Sequence, residues 1–145
     1  IGVPLLNGGK NLVDMTSVEN AAYALRLAVE ANDESGSLYN ITNGDPRVFK
    51  DILEKLFYYL GVTPKYLKLN YNLIYSVAAG LEKWYELKKE YDSEPALTRY
   101  TVCTLGHSQT LDITRAKDVL GYKPKVTLDE TVKKYAEHYN EHTKN

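Results

Sequence analysis

Cysteine occurs once in this sequence: Cys103 stands alone, so no internal disulfide can brace the chain, and a reducing compartment suits it. Phenylalanine and tryptophan are also thin, at 2 and 1, against 13 tyrosines. Tyrosine joins an apolar body to a polar tip and belongs on half-buried surfaces and clefts. Neither sign of charge dominates, with 18 Lys and Arg against 19 Asp and Glu and a formal net charge of −1. That balance gives no electrostatic footprint for nucleic acid. Long apolar runs are missing too. Nothing approaches the roughly 20 residues that cross a bilayer, and the opening Ile1-Gly2-Val3-Pro4-Leu5-Leu6 lacks the basic flank of a secretory signal. We expect a cytoplasmic location, no membrane insertion and no nucleic-acid partner. No internal repeat or low-complexity segment occurs.

What is present suffices for a folded domain. The 145 residues are 43% hydrophobic and 26% charged, ordinary values for a globular chain able to bury a core. The chain opens on Ile1 and enters directly on a strand-like run, so we expect a piece of a longer protein. The first strong helical signal begins at Thr16, read as a cap, with Glu19 placed to complete a capping box. Val18, Ala21, Ala22, Leu25, Ala28 and Val29 then recur at helical spacing and are expected to form one buried stripe, thin enough to dock on a sheet.

The turn Asn32-Asp33-Glu34-Ser35-Gly36 ends that helix, and 38–42 reads as a strand with Tyr39 and Ile41 on one face. Phe49, Ile52, Leu53, Leu56 and Leu60 mark a second helix, stopped by Gly61. An extended stretch at 66–69 precedes a helix over 73–89, whose apolar side carries Ile74, Val77, Ala78, Leu81, Trp84 and Tyr85. After the polar break Tyr91-Asp92-Ser93-Glu94-Pro95, a short helix is expected over 97–105 and a short strand over 108–111. Asp112 is read as the cap of a helix carrying Ile113, Ala116, Val119 and Leu120, ended by Gly121 with Pro124 beyond. Thr127 is read as the cap of the last helix, with Leu128, Val132, Tyr135, Ala136 and Tyr139 as its stripe.

Three blocks, in order, carry a family resemblance. The first is Asn7-Gly8-Gly9-Lys10-Asn11-Leu12-Val13-Asp14-Met15-Thr16-Ser17-Val18-Glu19-Asn20. The second is Leu38-Tyr39-Asn40-Ile41-Thr42-Asn43-Gly44-Asp45-Pro46. The third joins Leu97-Thr98-Arg99-Tyr100 to Asp112-Ile113-Thr114-Arg115-Ala116-Lys117 and Leu120-Gly121-Tyr122-Lys123-Pro124. Together they resemble the extended short-chain dehydrogenases/reductases, the NAD-dependent epimerase/dehydratase superfamily, and most of all its 3β-hydroxysteroid and sterol-4-carboxylate dehydrogenase branch. The resemblance implies an α/β fold: the helix-rich C-terminal portion of an extended Rossmann-type dehydrogenase, with a few short strands. It implies a single substrate-side domain over 1–145, with the N-terminal NAD(P)-binding region absent. In that family the strand matching 38–42 extends the nucleotide-binding sheet. Without that sheet the strand needs another partner, so self-association as a homo-oligomer is expected.

Two parts of a complete enzyme of this kind are missing here. No glycine-rich strand-to-helix turn is present to bring backbone N–H groups to a pyrophosphate. The Tyr-x-x-x-Lys spacing that sets up a proton-transferring tyrosine occurs at Tyr85 and Lys89, on the wrong helix for the family, and reads as a surface pair. The chain is therefore expected to bind NAD or NADP only as part of its parent, with no catalytic, cofactor-binding or metal residues of its own, and to complete a small-molecule substrate cleft. The resemblance makes Arg99, Thr16 and Ser17 the candidate substrate-binding residues. For Arg99 the alternative is a structural tie to a carboxylate; for Thr16 and Ser17 it is helix capping.

Val13 stands where nucleotide-sugar epimerases carry a phosphate-binding arginine, which favours a weakly charged, sterol-like substrate with a hydroxyl to oxidise. A nucleotide-sugar epimerase or dehydratase fragment, and a non-catalytic binding or dimerisation module, are the alternatives. His138 and His142 share a helix face without an evident third metal ligand, His107 has no nucleophile partner, and Cys103 reads as an inert buried thiol.

Overall fold

The computed structural model describes residues 2–33, 36–89 and 95–143. Glu34 and Ser35 of the first expected turn, Glu90, and the break Tyr91-Asp92-Ser93-Glu94 lie outside the described residues. In chain order the described elements are β1 (Gly2–Leu6), a 3-10 turn (Asn7–Gly9), β2 (Leu12–Val13), α1 (Val18–Glu30), β3 (Arg47–Val48) and α2 (Phe49–Leu60). β4 (Lys65–Leu69), α3 (Tyr71–Lys88), α4 (Arg99–Gly106), α5 (Thr114–Leu120) and α6 (Leu128–Thr143) follow. The helix-rich α/β character read from the sequence is what the structure has. The chain divides into two compact units, one formed by Ile1–Asn11 with Thr63–Ser108, the other by Leu12–Val62 with Gln109–Asn145.

In the first unit β1 and β4 pair in parallel, Gly2 opposite Lys65 through Leu6 opposite Leu69. Asn70 accepts from the Leu73 N–H at 3.1 Å and starts α3. Thr98 accepts from the Thr101 N–H at 3.1 Å and starts α4. Each cap satisfies a backbone donor that no helical carbonyl can reach. Leu6, Ala78 and Val102 form the buried centre, with Leu69, Tyr71, Ile74, Tyr75 and Leu97 packed around it. A Cβ on Gly106 would stand 2.6 Å from the Tyr71 ring, so glycine is what lets α4 close on that tyrosine.

The second unit is helical, apart from the two-residue antiparallel pairing of β2 with β3. The strand expected at 108–111 reduces to one parallel bridge between Val13 and Gln109. Gly61 ends α2 and Gly121 ends α5, both in the left-handed region that glycine enters without penalty. Thr127 and Glu130 form a capping box on α6, with the Thr127 N–H donating to Glu130 Oε2 at 2.8 Å and the Glu130 N–H to Thr127 Oγ1 at 3.2 Å. Two cores result. Ile52 of α2 packs with Leu128 and Val132 of α6. Ala24 of α1 packs with Ile113, Ala116, Leu120 and Tyr122.

Three local expectations need correction. The buried face of α1 is Asn20 and Ala24, with Tyr23, Leu27 and Ala31 half-buried. Val18, Leu25 and Val29 of the expected stripe are 80%, 70% and 87% exposed. Both faces of this helix are apolar, and α5 takes the one centred on Ala24. Residues 38–42 form no strand, and among the described residues the hydrogen bonds to the Ile41 and Thr42 carbonyls come from side chains, Thr16 and Tyr122. Finally, the α1 cap is Ser17, one residue after the expected Thr16. Asp112 does satisfy the first turn of α5, its Oδ1 accepting from the Thr114 N–H at 2.8 Å, although Ile113 holds the cap position.

Candidate functional site

The turn into α1 is tied down by a polar network. The Ser17 hydroxyl accepts from the Asn20 N–H at 3.3 Å, and the Ser17 N–H donates to Asn43 Oδ1 at 2.9 Å. Asn20 is fully buried. Its Nδ2 donates to Asn43 Oδ1 and to the Val126 carbonyl, both at 2.8 Å. Its Oδ1 accepts from the Lys125 and Val126 N–H groups at 2.8 and 3.1 Å. A buried amide is stable only when so fully paired. Asn20 therefore pins the loop before α6 to the start of α1. The sequence offers one signal for it, a polar residue beside two alanines on the side of α1 that also carries Ala24.

Thr16 and Ser17 consequently part ways. Ser17 is buried, with its hydroxyl used by the cap. Thr16 is exposed and donates to the Ile41 carbonyl at 3.0 Å. It lines an open apolar groove of about 360 Å³ with Ala21, Leu25 and Ala28 of α1 and with Leu38 and Tyr39. The alanines keep the wall of α1 low, and the groove follows its uncovered stripe. Glu19 is not part of a capping box; it pairs with Lys134 of α6 at 2.9 Å, and that hydrogen bond holds its carboxyl below the usual glutamate range. Just before the turn, Asp14 Oδ2 accepts from the Leu111 N–H at 2.7 Å, while Oδ1 is buried without a hydrogen-bond partner.

Arg99 belongs to the first unit, at the start of α4. Its backbone N–H and its Nε each donate to Glu82 of α3 at 2.6 Å. The backbone hydrogen bond from Arg99, then the guanidinium, holds the Glu82 carboxyl below its ordinary value, and the bond to Glu82 raises Arg99 in turn. Arg99 thus ties α4 to α3 and remains half-exposed. The same unit assembles a cluster that sequence spacing did not reveal. Tyr71 stacks on Tyr75 with centroids 5.8 Å apart, meets His107 edge-on at 4.9 Å, and places its hydroxyl 3.3 Å from Cys103 Sγ. The Cys103 contact and loss of water push the Tyr71 hydroxyl up to about 12, so it stays protonated at neutral pH. Cys103 is half-buried. Tyr85 stacks edge-on against Trp84, and Lys89 is the left-handed cap of α3. His138 and His142 do come together on α6, with ring centroids 4.0 Å apart.

No protein-family model matches the chain. The uncharacterized protein YbjS of Escherichia coli is 42% identical over 143 residues, which cover 97% of this chain and 42% of that protein. A sterol-4-alpha-carboxylate 3-dehydrogenase (decarboxylating) of Schizosaccharomyces pombe is 33% identical over 89% of this chain. A 2-alkyl-3-oxoalkanoate reductase of Shewanella oneidensis is 32% identical over 85%. The match spans 39% and 33% of those two proteins, so the chain accounts for well under half the length of its curated relatives. The dTDP-glucose 4,6-dehydratase of Bacillus anthracis, solved in complex with NAD, superposes with a TM-score of 0.60 at 14% identity, over 99% of this chain and 36% of that one. The chain belongs to the NAD-dependent epimerase/dehydratase superfamily. Several of its sequence relatives carry the names of 3β-hydroxysteroid and sterol-4-carboxylate dehydrogenases. The nucleotide-sugar enzyme, at its low identity, shares the superfamily fold alone.

Proposed function

We propose that the chain is the substrate-side part of an NAD(P)-dependent oxidoreductase acting on a hydroxyl or oxo group of a weakly charged, largely apolar substrate. The observation that carries this reading is the pair of relatives at 32–33% identity, whose names describe closely related chemistry. One oxidises carbon 3 of a sterol that bears a carboxylate at carbon 4; the other reduces the 3-oxo group of a 2-alkyl acid. In both, the reacting carbon is bonded to the carbon carrying the carboxylate and a bulky apolar group. We assign the same unit, a 2-substituted 3-hydroxy or 3-oxo acid, to this protein. Its hydride carrier, NAD or NADP, is held by the region of the protein outside this chain, and the setting is cytoplasmic.

Thr16, which lines the apolar groove of the second unit, and Arg99, the cation at the head of α4 in the first, are each candidate substrate contacts in this reading. The 38–42 segment and the open stripe of α1 form the seam to the nucleotide-binding sheet. In the isolated chain, that seam supports self-association.

The test is NAD(P)H fluorescence on this chain and on the full-length protein, followed by turnover of a 2-alkyl-3-hydroxy acid, a sterol-4-carboxylate and a UDP-sugar by the full-length protein. Binding by the full-length form alone, with oxidation of one of the two acids, is expected. Tight binding by the isolated chain, or turnover of the UDP-sugar alone, overturns the reading. Replacing Arg99 with Met in the full-length protein is expected to raise KM for the acid more than it lowers kcat.

A further inference from the structure

The last turns of α6 place three donor groups on one exposed patch: His138, Glu141 and His142. Histidines four apart on a helix point the same way, and a residue three after the first also lies next to that first one. Here the two imidazoles overlap with centroids 4.0 Å apart, and one ligand atom from each of the three residues lies within 4.8 Å of the others. His142 Nδ1 is 2.8 Å from the His138 carbonyl oxygen. A carbonyl only accepts, so Nδ1 carries the proton and Nε2 presents its lone pair outward. Metal-ligating histidines are oriented in this way, by donating the other ring N–H to a backbone carbonyl. Asn140, on the turn between them, donates to the Tyr59 carbonyl at 3.4 Å and anchors this part of α6 to α2.

We propose that His138, Glu141 and His142 form a binding site for a divalent first-row transition metal, Zn²⁺ in the first instance. Two imidazole nitrogens and one carboxylate oxygen suit ions of intermediate softness and disfavour Mg²⁺ and Ca²⁺, which take all-oxygen shells. Two ligands held at about 2.1 Å from one ion are at most about 4.2 Å apart. Binding draws the three exposed donor groups together from their present spread of up to 4.8 Å. Water fills the open coordination positions. The ion joins successive turns at the end of α6 and braces that end. This site does not rest on the oxidoreductase reading.

Isothermal titration of the 145-residue chain with Zn²⁺ at neutral pH tests it, with Mg²⁺ as control. One Zn²⁺ per chain and no Mg²⁺ are expected. Changing a residue that merely orients a ligand costs about tenfold or more in affinity, so H138A and H142A should each lose more than that. E141Q should weaken binding less. H107A removes the third histidine of the chain and should leave binding intact. All positions changed on α6 are exposed, and circular dichroism reports whether each variant keeps its helices. Zn²⁺ affinity unchanged in both H138A and H142A, or lost in H107A alone, overturns the site.

Discussion

Asn20 occupies a position where helical spacing would accept a leucine, and uses it to hold two loops by four side-chain hydrogen bonds. Replacing it with alanine leaves the Lys125 and Val126 N–H groups without their acceptor and takes one of two donors each from Asn43 Oδ1 and the Val126 carbonyl. Each buried group left unpaired costs about 1–3 kcal/mol, so Asn20→Ala should destabilise the second unit by about 3 kcal/mol or more, read as a lowered urea midpoint. Gly106 makes a complementary case in the first unit. Tyr71 cannot readily yield to a new methyl group there, because Tyr75, His107 and Cys103 hold its ring on three sides. Gly106→Ala should cost about 1–3 kcal/mol as an overpacked core does, and alter tyrosine fluorescence along with the unfolding midpoint.

Helix ends were legible in the sequence because their chemistry is local. Gly61, Gly121 and the Thr127 cap each act within a few residues, and all three stand as read; the return bond from Glu130 is seen only in the structure. The face of α1 was not legible, because two apolar stripes compete and only the packing of α5 decides between them. The 38–42 segment carries the composition of a strand, yet a strand exists only beside another, and sequence pattern does not supply the neighbour. Thr16 and Ser17 are both competent caps. The choice fell to Ser17 because Asn43 accepts from its backbone and Ile41 takes the Thr16 hydroxyl.

The capping box of α6 also sets a pH response. The Thr127 N–H, then its hydroxyl, hold the Glu130 carboxyl below its ordinary value. As pH falls past the normal glutamate range, the unfolded chain takes up a proton that the folded helix refuses. The box therefore contributes fully above that range, and its contribution disappears as pH drops through the lowered folded value. Helicity followed by circular dichroism in acid should show this loss in the native chain and a flatter profile in Glu130→Gln, which has no carboxylate to titrate.

At the scale of the whole chain, the uncovered stripe of α1 dictates behaviour in solution. Val18, Leu25, Val29 and Leu38 are all exposed apolar groups, and Leu38 and Tyr39 continue that surface along the groove, an apolar patch that invites association with another chain. Sedimentation velocity should show association that grows with concentration. Leu25→Lys should abolish it while shifting stability by no more than about 0.5 kcal/mol, as surface changes do.

The two units are interleaved along the sequence, since Leu12–Val62 must wait for Gln109–Asn145 while Thr63–Ser108 is made in between. On the ribosome this order has a consequence. At about 5–20 residues per second, α2 emerges seconds before α6, the helix that covers Ile52. Throughout that interval a nascent chain carries an apolar helix face without α6 to cover Ile52. Folding of this unit is completed only after most of the chain has left the exit tunnel, and that delay is when holding chaperones have their substrate.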